Sequence, residues 1–150
     1  MKIGLLSDTH STLHPKVFGH FKNCDEIWHA GDIGTVEVID QLSAFKPLRA
    51  VYGNIDNHKI RAICPKDLRF EYEGVKVWIT HIGGYPYNYT KNIRQELDKN
   101  SPDLFICGHS HILKVMYDEK NKHLHLNPGA AGISGFHNIR TMLRLSLIHI

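Results

Sequence analysis

Two histidines stand two residues apart in Cys107-Gly108-His109-Ser110-His111, directly after the apolar run 103–106. Neutral imidazole is the commonest side-chain metal ligand, so paired imidazoles past the end of a buried strand point to a metal centre. Further candidate ligands recur in the same setting, each just beyond a short apolar run. They are Asp8 and His10 in Ser7-Asp8-Thr9-His10, Asp32 in Gly31-Asp32-Ile33-Gly34, Asn54 with Asp56 in Gly53-Asn54-Ile55-Asp56, and His81 in Thr80-His81. Oxygen and imidazole ligands together suit divalent transition metals. Taken singly, each segment has an ordinary explanation: Asp8 as a helix cap, Gly53-Asn54 as a tight turn, the histidines as surface residues. One metal-competent group per strand end, repeated along the chain, is what chance turns do not explain.

The elements that must carry these groups read as strand and helix in alternation. Residues 2–6, 25–30 and 48–52 form apolar strands, and each runs into one of the polar loops. Open α/β sheets place their ligand crevices at the carboxyl ends of such strands. Helical spacing follows over 15–24, through Val17, Phe18 and Phe21, and over 35–45, through Val36, Ile39, Leu42 and Phe45, with Pro47 as a stop. Residues 57–64 read as a short basic helix or loop, and 69–72 with 75–80 as a β-hairpin. Tyr85-Pro86-Tyr87-Asn88-Tyr89 forms an aromatic loop, and 92–100 a helix with Ile93 and Leu97 inward. Beyond residue 111 the texture changes to short strands (112–117, 123–126, 141–150) without a long helix. An alternating front and an all-strand back predict an α/β fold of two mixed β-sheets packed as a sandwich, flanked by helices.

At 150 residues, the chain suits one domain over 1–150 with a real core. A composition of 42% hydrophobic and 22% charged residues is that of a globular protein without a membrane segment. The apolar run 3–6 breaks at Ser7, too soon for a signal peptide, so a cytoplasmic location is expected. A net charge of +3 favours small anionic partners and falls short of the basic stripe of a nucleic-acid binder. Cys24, Cys64 and Cys107 are dispersed, which argues for free thiols in a reducing compartment.

In this order, Asp8-Thr9-His10, Gly31-Asp32, Gly53-Asn54-Ile55-Asp56, His81 and Gly108-His109-Ser110-His111 resemble the motif series of the calcineurin-like metallophosphoesterases. The loop Leu126-Asn127-Pro128-Gly129 is similar to that of the small, uncapped phosphodiesterase branch. The resemblance covers residue 3 to at least 130. It implies two divalent ions, manganese first, with nickel, iron, zinc or cobalt as alternatives. One ion would take Asp8, His10, Asp32 and His111, and the other Asp32, Asn54, His81 and His109, so that Asp32 bridges. Asp32, Asn54, His81 and His109 would carry the catalysis, and Asp56 would brace the Asn54 loop. Two such ions about 3.5–4 Å apart depress the pKa of a shared water, giving a bridging hydroxide, and offset charge growing on a phosphoryl group. The implied activity is hydrolysis of phosphodiesters or activated phosphate esters.

The chain departs from the family pattern at Ile55, where many members carry a leaving-group acid. His58 and His14 are better read as solvated surface residues. Trp28, Trp78 and His29 read as core, and Tyr85, Tyr87 and Tyr89 as loop packing or a rim for a stacked base. His123, His125, His137 and His149 fit exposed or half-buried strand positions with no role. The partner expected is a small phosphate ester, with nucleic acid disfavoured except as small nucleotides, and oligomerisation open. The alternative is a non-catalytic interaction scaffold like the retromer subunit of this fold; the full ligand series weighs against it. A repair nuclease would need gripping elements for which this chain has no room.

Overall fold

The computed structural model describes residues 1–147. Its first sheet is built on three parallel strands, β1 (Lys2–Leu6), β2 (Glu26–His29) and β3 (Leu48–Ala50). Helices α1 (Lys16–His20) and α2 (Val36–Phe45) make the crossovers between them. Helix α3 (His58–Ile63) follows β3; Asn57 caps it, its Oδ1 accepting from Ile60 N–H at 3.2 Å, and this settles the 57–64 segment as helix. The hairpin is β4 (Asp67–Tyr72) and β5 (Val75–Thr80). A short pair, β6 (Gly84–Tyr85) and β7 (Asn88–Tyr89), leads into α4 (Lys91–Lys99), and then come β8 (Leu104–Ile106), β9 (Leu113–Asp118), β10 (His123–Pro128) and β11 (Leu143–Ser146). The last three residues of the predicted 141–150 strand, His149 among them, lie outside the described residues.

The two large sheets have the strand orders β11-β1-β2-β3 and β4-β5-β8-β10-β9. The core of each is parallel, and each carries antiparallel strands at its edges: β11 on β1, β4 on β5, and β9 on β10. Side chains alternate across each strand, so every strand divides its residues between two layers. Ile3 and Leu5, Trp28, Val77 and Ile79, Leu104 and Ile106, and Leu126 meet between the sheets. Leu6 and Ile27 face the other way, with Val17, Phe21, Ile39, Leu42 and Ile60 of the helices. On the outer face of the second sheet, Trp78 and Phe105 pack with Tyr89 and with Ile93 and Leu97 of α4. The expected two-sheet sandwich flanked by helices is thus present. No helix among the described residues is long and apolar enough to cross a membrane. All three cysteines are buried and unpaired.

The histidines of the all-strand region are a correction. His123 and His125 are fully buried. Their chain neighbours Leu124 and Leu126 face the inter-sheet core, so alternation turns the imidazoles outward, but β7 and α4 cover that face. Tyr89 Oη sits between them, 2.8 Å from His123 Nε2 and 2.9 Å from His125 Nδ1. Tyr89 is therefore a packed residue and no stacking rim. His137 lies in the loop between β10 and β11 and occupies no strand position.

Candidate metal centre

The carboxyl ends of β1, β2, β3, β5 and β8 open at one edge of the sandwich, and each delivers its polar loop there. Backbone hydrogen bonds knit neighbouring loops together within each sheet. Asp8 N–H donates to Gly31 O at 2.9 Å, His10 N–H to Asp32 O at 3.0 Å, and Gly108 N–H to His81 O at 2.9 Å. These tight crossings force left-handed backbone on residues that do not favour it: φ is 54° at Asp8, 46° at His10, 55° at Asp32, 72° at His109 and 64° at His111. Such conformations cost about 1 kcal/mol or more each and persist only where the surroundings dictate them. Two glycines allow the close approach. A Cβ on Gly53 would lie 2.0 Å from Asp32 Oδ1, and one on Gly108 would lie 2.1 Å from Ser7 Oγ.

All seven predicted ligands converge. Ligand atoms of Asp8, His10 and His111 lie within 4.8 Å of one another, and so do those of Asp32, His81 and His109. Asn54 joins the second group, its Oδ1 being 3.0 Å from His109 Nδ1. Asp32 Oδ2 reaches both groups, standing 3.2 Å from His81 Nε2 and 3.4 Å from His10 Nε2. Asp8 Oδ1 stands 3.2 Å from His111 Nε2 and 3.7 Å from both His10 Nε2 and His81 Nε2.

The outer bonds of these side chains are satisfied and the inner atoms are not. His81 Nδ1–H donates to Ala30 O at 2.7 Å, which turns Nε2 inward. Asp8 Oδ2 accepts from Ser7 Oγ–H at 2.7 Å and His109 N–H at 3.1 Å, while Asp32 Oδ1 accepts from Ile55 N–H at 3.1 Å. Asp8 Oδ1, His10 Nε2 and His81 Nε2 are buried without a hydrogen-bond partner. Buried polar atoms rarely stay unpaired, and a convergent set of carboxylate and imidazole atoms fits divalent cations. Burial pushes the His81 pKa down, but the adjacent Asp32 carboxylate and the charge of Asp8 outweigh it and the net shift is upward. For Asp32, burial is likewise outweighed, here by His81, and the carboxyl is held below its usual range. The site thus already favours positive charge beside its two aspartates.

A supporting layer holds the ligands. Asp56 accepts from Gly53 N–H at 2.8 Å, Gly34 N–H at 2.9 Å and Ile33 N–H at 3.1 Å, tying the Asn54 loop to the Asp32 loop as expected. His29 is fully buried. Its Nδ1 accepts from Gly31 N–H at 3.1 Å, so Nε2–H donates to Thr9 Oγ1 at 3.0 Å. Burial, with His81 nearby, pushes its pKa down to about 3 and keeps it neutral. Asn127 donates from Nδ2 to Gly108 O and Ser110 Oγ, both at 3.1 Å, and so fixes the loop that carries His109 and His111. His137 is the member that sequence reasoning misses. Its Nε2–H donates to Gly132 O at 2.8 Å, leaving Nδ1 to accept from His111 Nδ1–H at 3.3 Å, so that His111 Nε2 presents a lone pair toward Asp8. No spacing or motif announces it. Ile55 is 45% exposed and offers only hydrocarbon where a proton donor would stand. His14 is engaged away from the site, Nδ1 accepting from Lys16 N–H at 3.0 Å, and His58 is exposed on α3.

The model of the calcineurin-like phosphoesterase superfamily domain matches residues 1–148. The chain belongs to this family. The "Probable metallophosphoesterase" of Methanothermobacter thermautotrophicus is 32% identical to it over 135 residues, covering 87% of this chain and 77% of that protein. Among solved structures, a novel archaeal phosphodiesterase superposes with a TM-score of 0.80 at 25% identity, over 97% of this chain and 93% of that one. Vps29 of Chaetomium thermophilum superposes with a TM-score of 0.79 at 14% identity, over 99% and 82%, a likeness of fold alone. Within the phosphoesterase family, then, this member gathers two candidate ligand groups at one edge of its sandwich and carries Ile55 beside Asn54.

Proposed function

We propose that this phosphoesterase-family chain is a metal-dependent hydrolase of phosphodiesters and of phosphate esters with good leaving groups. It would act as one domain in the cytoplasm, with two divalent cations, manganese first among them. The observation that carries this is the pair of ligand groups meeting at Asp32, with three buried, unpartnered ligand atoms aimed inward. Bound cations would supply Lewis-acid charge for the phosphoryl oxygens and an acidified water. Asp32 would serve both cations through its two oxygens. Asn54 contributes a neutral oxygen and spares the site a negative charge that would repel the substrate. Without a proton donor at Ile55, an alkoxide must leave unaided, a handicap of about 10²–10⁴-fold that falls on poor leaving groups. The similarity to an archaeal phosphodiesterase supports the diester preference.

A non-catalytic scaffold is the second reading. It is favoured by β9, an edge strand whose Leu113, Val115 and Tyr117 are 45–56% exposed along one face. The deciding experiment strips the protein with chelator, reloads it with each divalent ion, and assays aryl monoesters, aryl diesters and cyclic nucleotides. Diester hydrolysis restored by at least one ion is expected. No turnover in any combination, together with no bound metal, would replace the enzyme by the scaffold.

A further inference from the structure

A cavity of about 470 Å³ opens from the Asn54 and His81 side of the centre and runs between α3 and α4. That volume is of the order of small-molecule sites, which span about 300–1,000 Å³. It exceeds what a lone phosphate needs. Its walls carry charges of both signs, but their bonding differs. Asp67 Oδ1 accepts from Trp78 Nε1–H at 3.2 Å, and Glu96, on the exposed rim, pairs only loosely with Lys99 Nζ at 4.0 Å. The two cations have no acid paired with them. Neither Arg61 nor Lys66 has a carboxylate partner within 4.0 Å among the described residues.

Arg61 is nevertheless held firmly. Its Nε–H donates to Asp56 O at 2.8 Å, Nη2–H reaches Asn54 O at 3.4 Å, and the guanidinium lies 4.5 Å from the centre of the Tyr52 ring. A guanidinium has five N–H donors, so most of its outer edge remains to meet a ligand. Side-chain freedom is already restricted, which lowers the cost of using it. Its bond to the Asn54 carbonyl places it on the same loop as a candidate metal ligand. A group entering the cavity from the metal centre passes this edge.

From this arrangement we infer that the cleft is a second anion site, and that the substrate is a phosphoester of nucleotide size carrying another anionic group, phosphate or carboxylate, away from the scissile phosphorus. Arg61 and Lys66 are the residues that select it. The inference rests on the phosphoesterase reading and deepens it. Removing both cations leaves the reacting phosphate to the metal centre and takes away the contacts to the second anion.

The test compares adenosine 3′,5′-bisphosphate with adenosine 5′-monophosphate as ligands of the manganese-loaded protein by calorimetric titration. Wild type is expected to bind the bisphosphate about tenfold more tightly, the order expected of one or two charge-assisted contacts at an open surface. That margin should shrink in Lys66→Gln and vanish in the Arg61→Gln/Lys66→Gln double variant. The Lys66 side chain makes no hydrogen bond or ion pair among the described residues, so its single variant reads the charge without disturbing the Asn54 loop. Equal affinity for the two nucleotides in wild type, or an unchanged margin in Lys66→Gln, overturns the inference. Both nucleotides are monoesters with poor alkoxide leaving groups, which a site without a proton donor at Ile55 cleaves slowly, so the titration reads binding and a protein that hydrolyses nothing refutes the enzymatic reading separately. Bis(p-nitrophenyl) phosphate hydrolysis with no bisphosphate margin sinks the cleft assignment alone.

Discussion

Acid should destabilise this protein through a histidine that takes no part in the metal centre. His125 is fully buried, and burial, reinforced by neighbouring His123, pushes its pKa from the usual 6.5 down to about 4. In the unfolded chain the same imidazole titrates near 6.5. Between these values the unfolded state binds the extra proton, so the contribution is fully present above pH 6.5 and is lost as pH falls toward 4. At pH 5 the unfolded side chain is almost wholly charged and the folded one almost wholly neutral. The difference from pH 7 is then about 2 kcal/mol, a sizeable share of the ~5–15 kcal/mol of a typical domain. Urea denaturation of chelated protein at intervals from pH 7 to 5 reads the loss, and His125→Gln provides the reference. Gln can still hydrogen-bond Tyr89 but does not titrate. Wild type should lose about 2 kcal/mol more than the variant over that range. Parallel curves would show that His125 is charged in the fold, or is reached by water, and would refute the argument.

Three further outcomes are expected. Asp32→Ala should cost at least about 10²-fold in turnover and also lower the bound metal, since it would strip a ligand from both cations; near-wild-type rate with full metal content would remove Asp32 as the bridge. His137→Phe should weaken metal binding by about 10–100-fold in a calorimetric titration, because His111 loses the partner that orients its ring, and unchanged affinity would make the His111–His137 contact incidental. Manganese at about 100 times its dissociation constant should raise stability by about 2.7 kcal/mol per site, seen as a higher melting temperature that chelator reverses. A melting point indifferent to every divalent ion would mean that the fold does not bind them.

The centre is legible in sequence because parallel strands carry their chemistry at one end. Once residues 2–6, 25–30 and 48–52 read as strands, Asp8, Asp32 and Asn54 must share an edge, and His81 and His109 follow from the second sheet. Asp56 is legible as well, lying two residues from Asn54 in the same turn. What escapes local reading is whatever depends on a distant segment covering a face. The alternation of β10 reads His123 and His125 as exposed or half-buried, and both are fully buried. Only the return of β7 and α4 over that face buries them. The predicted 15–24 helix shortens to Lys16–His20, and β3 ends at Ala50 instead of Tyr52. His137 has no local signal at all, since its partner His111 lies 26 residues away and belongs to the other side of the loop cluster.

Six residues around the centre, Asp8, His10, Ser11, Asp32, His109 and His111, are held in the left-handed region without being glycine. At about 1 kcal/mol apiece, their combined tension rivals the net stability of an ordinary domain. A lineage no longer selected for cation chemistry would gain stability from glycine at nearly every one of these positions. Kept as aspartate, serine and histidine, these positions carry a standing cost that the proposed cation binding would offset. In descendants drifting toward a purely architectural life, this loop cluster is where relaxation should first be written into the sequence.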